Sequence, residues 1–258
     1  MIRSRSSSPA ASAPDGGAGD EAAGGADVAV ELAGLHASIA GSHILQGVDL
    51  RVPSGGVTAL IGRNGVGKTT TLRSMLGLLP STGKIRILGT DVAGWPTHRI
   101  VRLGVGYVPE DREVFAKLTV AENLRLAEAG ADARYESVYG LFPELRQRSR
   151  QLAGTLSGGQ QQMLAIGRVL LHERPLLLID EPTKGLSPRF VNEVVDALER
   201  VSTSSTILMV EQNVHVVRRL ASQVIVLDRG RVVHAGHVSE LGDENLVRRL
   251  LGVSGAEA

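Results

Sequence analysis

The chain has 258 residues, enough to bury one large core or two modest ones. Its 28 Lys and Arg nearly cancel 27 Asp and Glu, which leaves no electrostatic basis for a dedicated nucleic-acid binder. Cysteine is absent, so disulfide staples and thiolate-ligated zinc are excluded, and no run approaches the roughly 18–20 apolar residues that a membrane-spanning helix requires.

Residues 1–27 are rich in Ser, Ala, Gly and Pro and read as a disordered tail. Arg3 and Arg5 are opposed by Asp15, Asp20 and Glu21, and the apolar run of a secretory signal is missing. Short β-like runs follow at Val28–Leu32, Val48–Val52 and Val57–Ile61, ahead of a predicted helix over Gly67–Leu79. From about residue 91 to 156 the pattern turns helical, with helices expected at Thr119–Ala129 and Tyr135–Arg148 and only Val105–Val108 resembling a strand. This stretch reads as an inserted helical subdomain within a main domain spanning 28–236. Compact apolar runs at Leu176–Ile179, Thr206–Val210 and Val224–Leu227 have the length of buried parallel strands. Val191, Val194, Val195, Leu198 and Val201 recur at helical spacing between the first two, so the alternation argues for an α/β fold. A short strand from Arg231 and a helix near Ser239–Leu251 close the chain, within a terminal segment 237–258.

Gly62-Arg63-Asn64-Gly65-Val66-Gly67-Lys68-Thr69 fits the Gly-x4-Gly-Lys-Ser/Thr pattern between a predicted strand and a predicted helix. Glycines let backbone N–H groups curl around phosphate oxygens, and the helix N-terminus adds partial positive charge. Lys68 would reach the outer phosphates of ATP, the Thr69 hydroxyl would ligate Mg²⁺, and Thr70 would add a phosphate contact. The strand at Leu176 ends in Asp180-Glu181. Beside a phosphate loop, Asp180 would hold Mg²⁺ and Glu181 would orient the attacking water. The seven histidines lack metal-ligand spacing.

Leu156-Ser157-Gly158-Gly159-Gln160 opens a further helix, with Ser157 as its cap. Lying between the phosphate loop and the Asp-Glu strand, it resembles the signature sequence of ABC transporter ATPases, over roughly Val28–Gly236. The resemblance implies a P-loop core with a mostly parallel sheet, an antiparallel β subdomain and the helical insertion. It implies that Ser157, Gly158, Gly159 and Gln160 of one subunit complete the ATP site of another. It further implies transmembrane permease subunits as partners, an external solute-binding protein acting indirectly, and a place on the cytoplasmic face of the membrane.

Four positions depart from the common family pattern. Glu110 stands where a glutamine that senses Mg²⁺ is usual, Gln212 where a switch histidine is usual, and Ser187 where an aspartate is usual. Ile39 aligns with the aromatic that stacks on adenine. Val108-Pro109-Glu110, Leu118 to Leu124, Ala153 to Gln160 and Val210-Glu211-Gln212-Asn213 resemble the shorter ATPase of branched-chain amino acid importers, in which both the glutamate and the glutamine are ordinary. That subfamily implies a second, non-identical ATPase as partner. Gly41 to Leu45 and the phosphate loop are also similar to urea and short-amide importers, and a non-hydrolysing regulatory subunit is a further alternative.

Overall fold

The computed structural model describes residues 27–129, 132–243, 245, 247 and 248; the expected tail up to residue 26 and the end of the expected C-terminal helix, from residue 249, lie outside them. At the expected start of that helix, Val238–Gly242 forms a 3-10 turn.

Branched side chains suit a pleated, buried surface, and the apolar runs become strands accordingly. These are β3 (Val57–Ile61), β7 (Leu176–Asp180), β8 (Thr206–Val210) and β9 (Gln223–Asp228). With β6 (Val105–Val108) and β10 (Arg231–His237) they form a sheet ordered β10-β9-β3-β8-β7-β6. Its pairings are parallel except β9 with β10.

Every residue of β3, β7 and β8 is buried, because both faces of the sheet are covered. Alternation sorts their side chains. Val57, Ala59, Ile61, Leu177, Ile179, Ile207 and Met209 join one core with α6 (Gly158–Leu170), α7 (Pro188–Val201) and α8 (Val214–Leu220). Leu60, Leu176, Leu178, Leu208 and Val210 join the other, against α1 (Lys68–Met75) and a second sheet. That second sheet is antiparallel, ordered β2-β1-β4-β5, from β1 (Val28–Ile39), β2 (Ser42–Pro53), β4 (Ser81–Ile87) and β5 (Thr90–Asp91).

The helical region differs from expectation in two respects. Val105–Val108 is no part of the insertion: β6 pairs with Leu176–Ile179 of β7 as the edge strand of the main sheet, and α2 (Thr97–Val101) buries Ile100 in the same core as β1 and β4. The insertion therefore leaves the sheet after Val108. The helix expected over Tyr135–Arg148 is two, α4 (Tyr135–Leu141) and α5 (Pro143–Gln147), because Pro143 has no N–H to continue the first. Helix α3 (Val120–Arg125) is short, and Thr119 and Glu122 close a reciprocal capping box at its start.

Asn123 on α3 is fully buried, and its amide is the clasp of the insertion's first loop. Its Oδ1 accepts from Phe115 N at 2.9 Å, and Nδ2 donates to the carbonyls of Phe115, Leu118 and Thr119 at 3.0, 3.3 and 3.0 Å. Asn123→Ala leaves Phe115 N without a partner, while the three carbonyls each keep a backbone N–H donor, and should destabilise the protein by about 1–2 kcal/mol, read as a lower urea midpoint. An unchanged midpoint would show that water replaces the amide at no cost.

Candidate active site

Strands β3, β8, β7 and β6 are neighbours and run parallel, so their carboxyl ends open on one edge of the sheet. Ligand sites in open α/β sheets form at that edge. Here β3 leads into Gly62 and the phosphate loop, β7 ends at Asp180, β8 is followed by Glu211 and Gln212, and β6 by Pro109 and Glu110.

The loop from Gly62 to Gly67 turns directly into α1. Gly67 caps the helix at φ 111°, a left-handed conformation closed to branched residues, and a Cβ there would lie 2.7 Å from Leu45 Cδ2 on β2. Lys68 is 5 % exposed, and its ammonium donates to the carbonyls of Gly62 at 2.8 Å and Arg63 at 3.0 Å. Burial pulls its pKa down, while Glu181, Asp180 and Glu110 pull it up. Thr70 is buried on the same first turn, and Thr71 Oγ1 bonds back to Gly67 O at 2.9 Å.

Asp180 is wholly buried. Desolvation pushes its carboxyl up to about 6, against the Thr69 hydroxyl, which donates to Oδ1 at 3.2 Å; Glu110 and Glu181 add to the upward shift. Its Oδ2 is buried with no hydrogen-bond partner among the described residues. An orphaned carboxylate oxygen beside a threonine hydroxyl, with Glu110 in electrostatic reach, is an oxygen-only donor set that fits Mg²⁺. No group of three or more His, Cys, Asp or Glu able to hold a metal occurs among the described residues, so such a cation would rely on nucleotide oxygens for the rest of its shell.

Glu181 is 7 % exposed and sits at φ 46°, a left-handed backbone that costs a non-glycine residue roughly 1–2 kcal/mol. Its own N–H donates to Val210 O at 2.9 Å, which locks the strained turn onto β8. The Gln212 amide donates to Glu181 Oε1, and the Lys184 ammonium lies 3.4 Å from Oε2. Both oxygens of the carboxylate are therefore held.

The signature residues lie on a different element, where Ser157 caps α6 in a capping box with Gln160. Gln160 Nε2 also donates to Glu144 Oε2 at 2.7 Å, and that bond, with Arg189 and Arg148, holds the Glu144 carboxyl below the usual range. A Cβ on Gly159 would lie 2.2 Å from the Phe190 ring of α7, so only glycine lets the two helices approach. The hydrogen bonds of Ser157 and Gln160 run within the cap and to Glu144, and Ser157 is exposed while Gly159 is buried. Ile39 ends β1 at 43 % exposure; in this β subdomain it is Ile44 and Leu45 that pack against Gly67. Ser187 caps α7 without a side-chain bond to it.

Residues 45–184 match the ABC transporter family, over more than half of the chain. The chain belongs to the ABC transporter family. It is 40 % identical over 196 residues to the high-affinity branched-chain amino acid transport ATP-binding protein BraG of Pseudomonas aeruginosa, spanning 73 % of this chain and 84 % of that protein. It is 37 % identical to the probable branched-chain amino acid transport ATP-binding protein LivF of Archaeoglobus fulgidus, over 84 % of this chain and 95 % of that protein. The crystal structure of a nucleotide-free ATP-binding cassette from an ABC transporter superposes with a TM-score of 0.75 at 22 % identity, over 88 % of this chain and all of that one. The protein is accordingly an ATP-binding ATPase subunit whose hydrolysis is coupled to transport. Among the described residues no helix is long and apolar enough to cross a membrane.

Three residues of this ABC ATPase site escape sequence reasoning. Glu211, 3 % exposed, accepts from the backbone N–H groups of Gln212 and Asn213 at 2.8 and 2.9 Å and from Thr183 Oγ1 at 2.6 Å, tying the end of β8 to the turn after Glu181. Its place at the end of an apolar strand, like that of Asp180, was the available signal. Lys184 bridges Glu181 and Glu110. Arg112 at φ 62° spans from Gln162 Oε1 on α6 at 3.3 Å to Lys184 O at 3.5 Å. Neither cation stands in a pattern that marks it.

At neutral pH the folded chain carries Asp180 as a buried anion that the unfolded chain exposes to water. Burial holds its carboxyl at about 6, above the ordinary aspartate range, so this group opposes folding above pH 6 and ceases to do so as pH falls towards 4. Asp180→Asn should raise stability at pH 7 by about 1–3 kcal/mol, a gain that shrinks between about pH 6 and 4, while ATP hydrolysis is lost. Equal urea midpoints for both proteins at pH 7 would contradict the burial argument.

Proposed function

We propose that this chain is the motor of an importer for branched-chain amino acids, acting by closing on a second ATPase around bound MgATP. The observation that carries this reading is the convergence of the phosphate loop, Asp180 and a doubly held Glu181 on one sheet edge, while the signature residues cap a separate helix, α6, with no hydrogen bond from Ser157 or Gln160 to that edge among those described. A chain so built holds one half of each of two sites. The transport named for BraG and LivF supports the cargo.

In this reading the N–H groups of Gly62 to Gly67 and the Lys68 ammonium cradle the phosphates, with Arg63, Asn64 and Val66 shaping the loop, and Thr70 adds a hydroxyl. Bound Mg²⁺, held by Thr69, Asp180 and Glu110, supplies charge neutralisation of the phosphate oxygens. Glu181 orients and polarises the attacking water, and Gln212 keeps its carboxylate aimed. Gln212 has no titratable proton, so it acts as a neutral hydrogen-bond donor and not as an acid. Ile39 offers adenine an exposed apolar face.

The Ser157 hydroxyl and the first N–H groups of α6, at Gly158, Gly159 and Gln160, would meet the γ-phosphate bound by the other subunit. ATP then contacts both chains, and ADP lacks the group that joins them. Only that difference can do work on the permease; moving closure from 1:99 to 99:1 takes about a 10⁴-fold preference, or about 5.5 kcal/mol. The partners are transmembrane permease subunits at the cytoplasmic face, a related non-identical ATPase, and indirectly an external solute-binding protein. Nucleic acid is not among them.

Light scattering of Glu181→Gln protein tests the reading. Binding without turnover should double the mass in MgATP and leave a monomer in MgADP or without nucleotide. Equal dimerisation in MgADP, or a monomer in every state even with the second ATPase and permease present, sinks it.

A further inference from the structure

The carboxylate at position 110 creates an electrostatic problem that the glutamine expected there would not. Asp180, Glu181 and Glu110 all act on Lys68, so three carboxylates surround the loop that must receive a polyanion. Among the described residues the Lys68 and Lys184 ammonium groups act on Glu181 and Glu110, and the Arg73 guanidinium acts on Asp180. Lys68 donates to the loop carbonyls, and Lys184 is the lysine in direct contact with Glu110.

The Lys184 side chain is placed by its backbone. Its N–H donates to Glu181 O at 3.2 Å, and its carbonyl accepts from Arg112, which rides on the same turn as Glu110. From there the ammonium reaches Glu110 Oε1 in a direct ion pair and lies 3.4 Å from Glu181 Oε2. Glu181 itself is 8 % exposed in its side chain, so a cation on its outer oxygen acts where water screens poorly.

We propose that Lys184 is a positioning residue matched to Glu110: it offsets the added carboxylate, so that the phosphate loop still accepts ATP, and anchors the second oxygen of Glu181. The inference rests on the ATPase reading of this site. Glu110 and Lys184 are then one unit, tolerated together and costly when the lysine alone is removed. An ordinary exposed ion pair would show no such dependence, because solvent-exposed pairs contribute little. Lys184 is half-exposed and bears no core packing, so its replacement leaves the fold intact.

A double-mutant cycle on the full chain decides the matter, with affinity for ATP measured in EDTA by calorimetry and turnover measured in Mg²⁺. In the Glu110 background, Lys184→Met should weaken ATP binding about tenfold and lower kcat by a similar factor; in the Glu110→Gln background the same change should weaken binding only about twofold. Lys184→Arg keeps the charge and should stay within about twofold of the parent in binding. Equal effects of Lys184→Met in the two backgrounds, with the parent binding ATP normally, overturn the pairing and leave the ATPase reading standing. A parent that binds no ATP overturns both. Thermal melts of each variant keep folding separate, and should Lys184→Met fail to fold, Lys184→Gln carries the same comparison.

Discussion

Strands that are buried on both faces leave charged and amide side chains room only where the chain leaves the sheet. In β3, β7 and β8 every apolar side chain belongs to one core or the other, so the phosphate loop, Asp180, Glu181, Glu211 and Gln212 are all driven to strand ends. Parallel pairing puts these ends on the same edge and in fixed order. The distance from Thr69 to Asp180, residues far apart in sequence, is thereby set by two cores that neither residue enters. Strain at Glu181 is sustained by the same packing, since its N–H is held by β8.

Much of this architecture is legible in the chain itself. The runs Val57–Ile61 and Thr206–Val210 are strands over those same residues, since a five-residue apolar run with polar neighbours has few other places to go. Val105–Val108 was equally recognisable as a strand, yet its membership was not, because partner choice depends on Leu176–Ile179 some seventy residues later. Local pattern assigned it to the helices on either side. Pro143 was a visible breaker inside Tyr135–Arg148, and the apolar periodicity across it masked the break.

The site divides along the same line. The phosphate loop and the signature are contiguous, so backbone geometry and side-chain chemistry are encoded together within eight residues or fewer. Lys184 and Arg112 act through contacts between segments and carry no motif, and Glu211 stands in a recognisable segment whose tie to Thr183 is visible only in the fold. Gly159 illustrates both levels: its place in the signature was readable, whereas the reason no side chain fits, the Phe190 ring of α7, belongs to the packing of two helices.

Two of the four departures from the common family pattern, Glu110 and Gln212, are spatially linked. Gln212 holds one oxygen of Glu181, Lys184 lies at the other, and Lys184 in turn binds Glu110. A neutral amide in place of a histidine removes a cation from one side of the carboxylate, and a glutamate in place of a glutamine adds an anion on the other. Both changes make the surroundings of Glu181 more negative. The lysine between them answers both at once, because one ammonium reaches both carboxylates. Substitutions that individually resemble decay of a hydrolytic site therefore compose a site with its charges rebalanced, and the intact Lys68, Thr69, Asp180 and Glu181 are what such rebalancing would preserve.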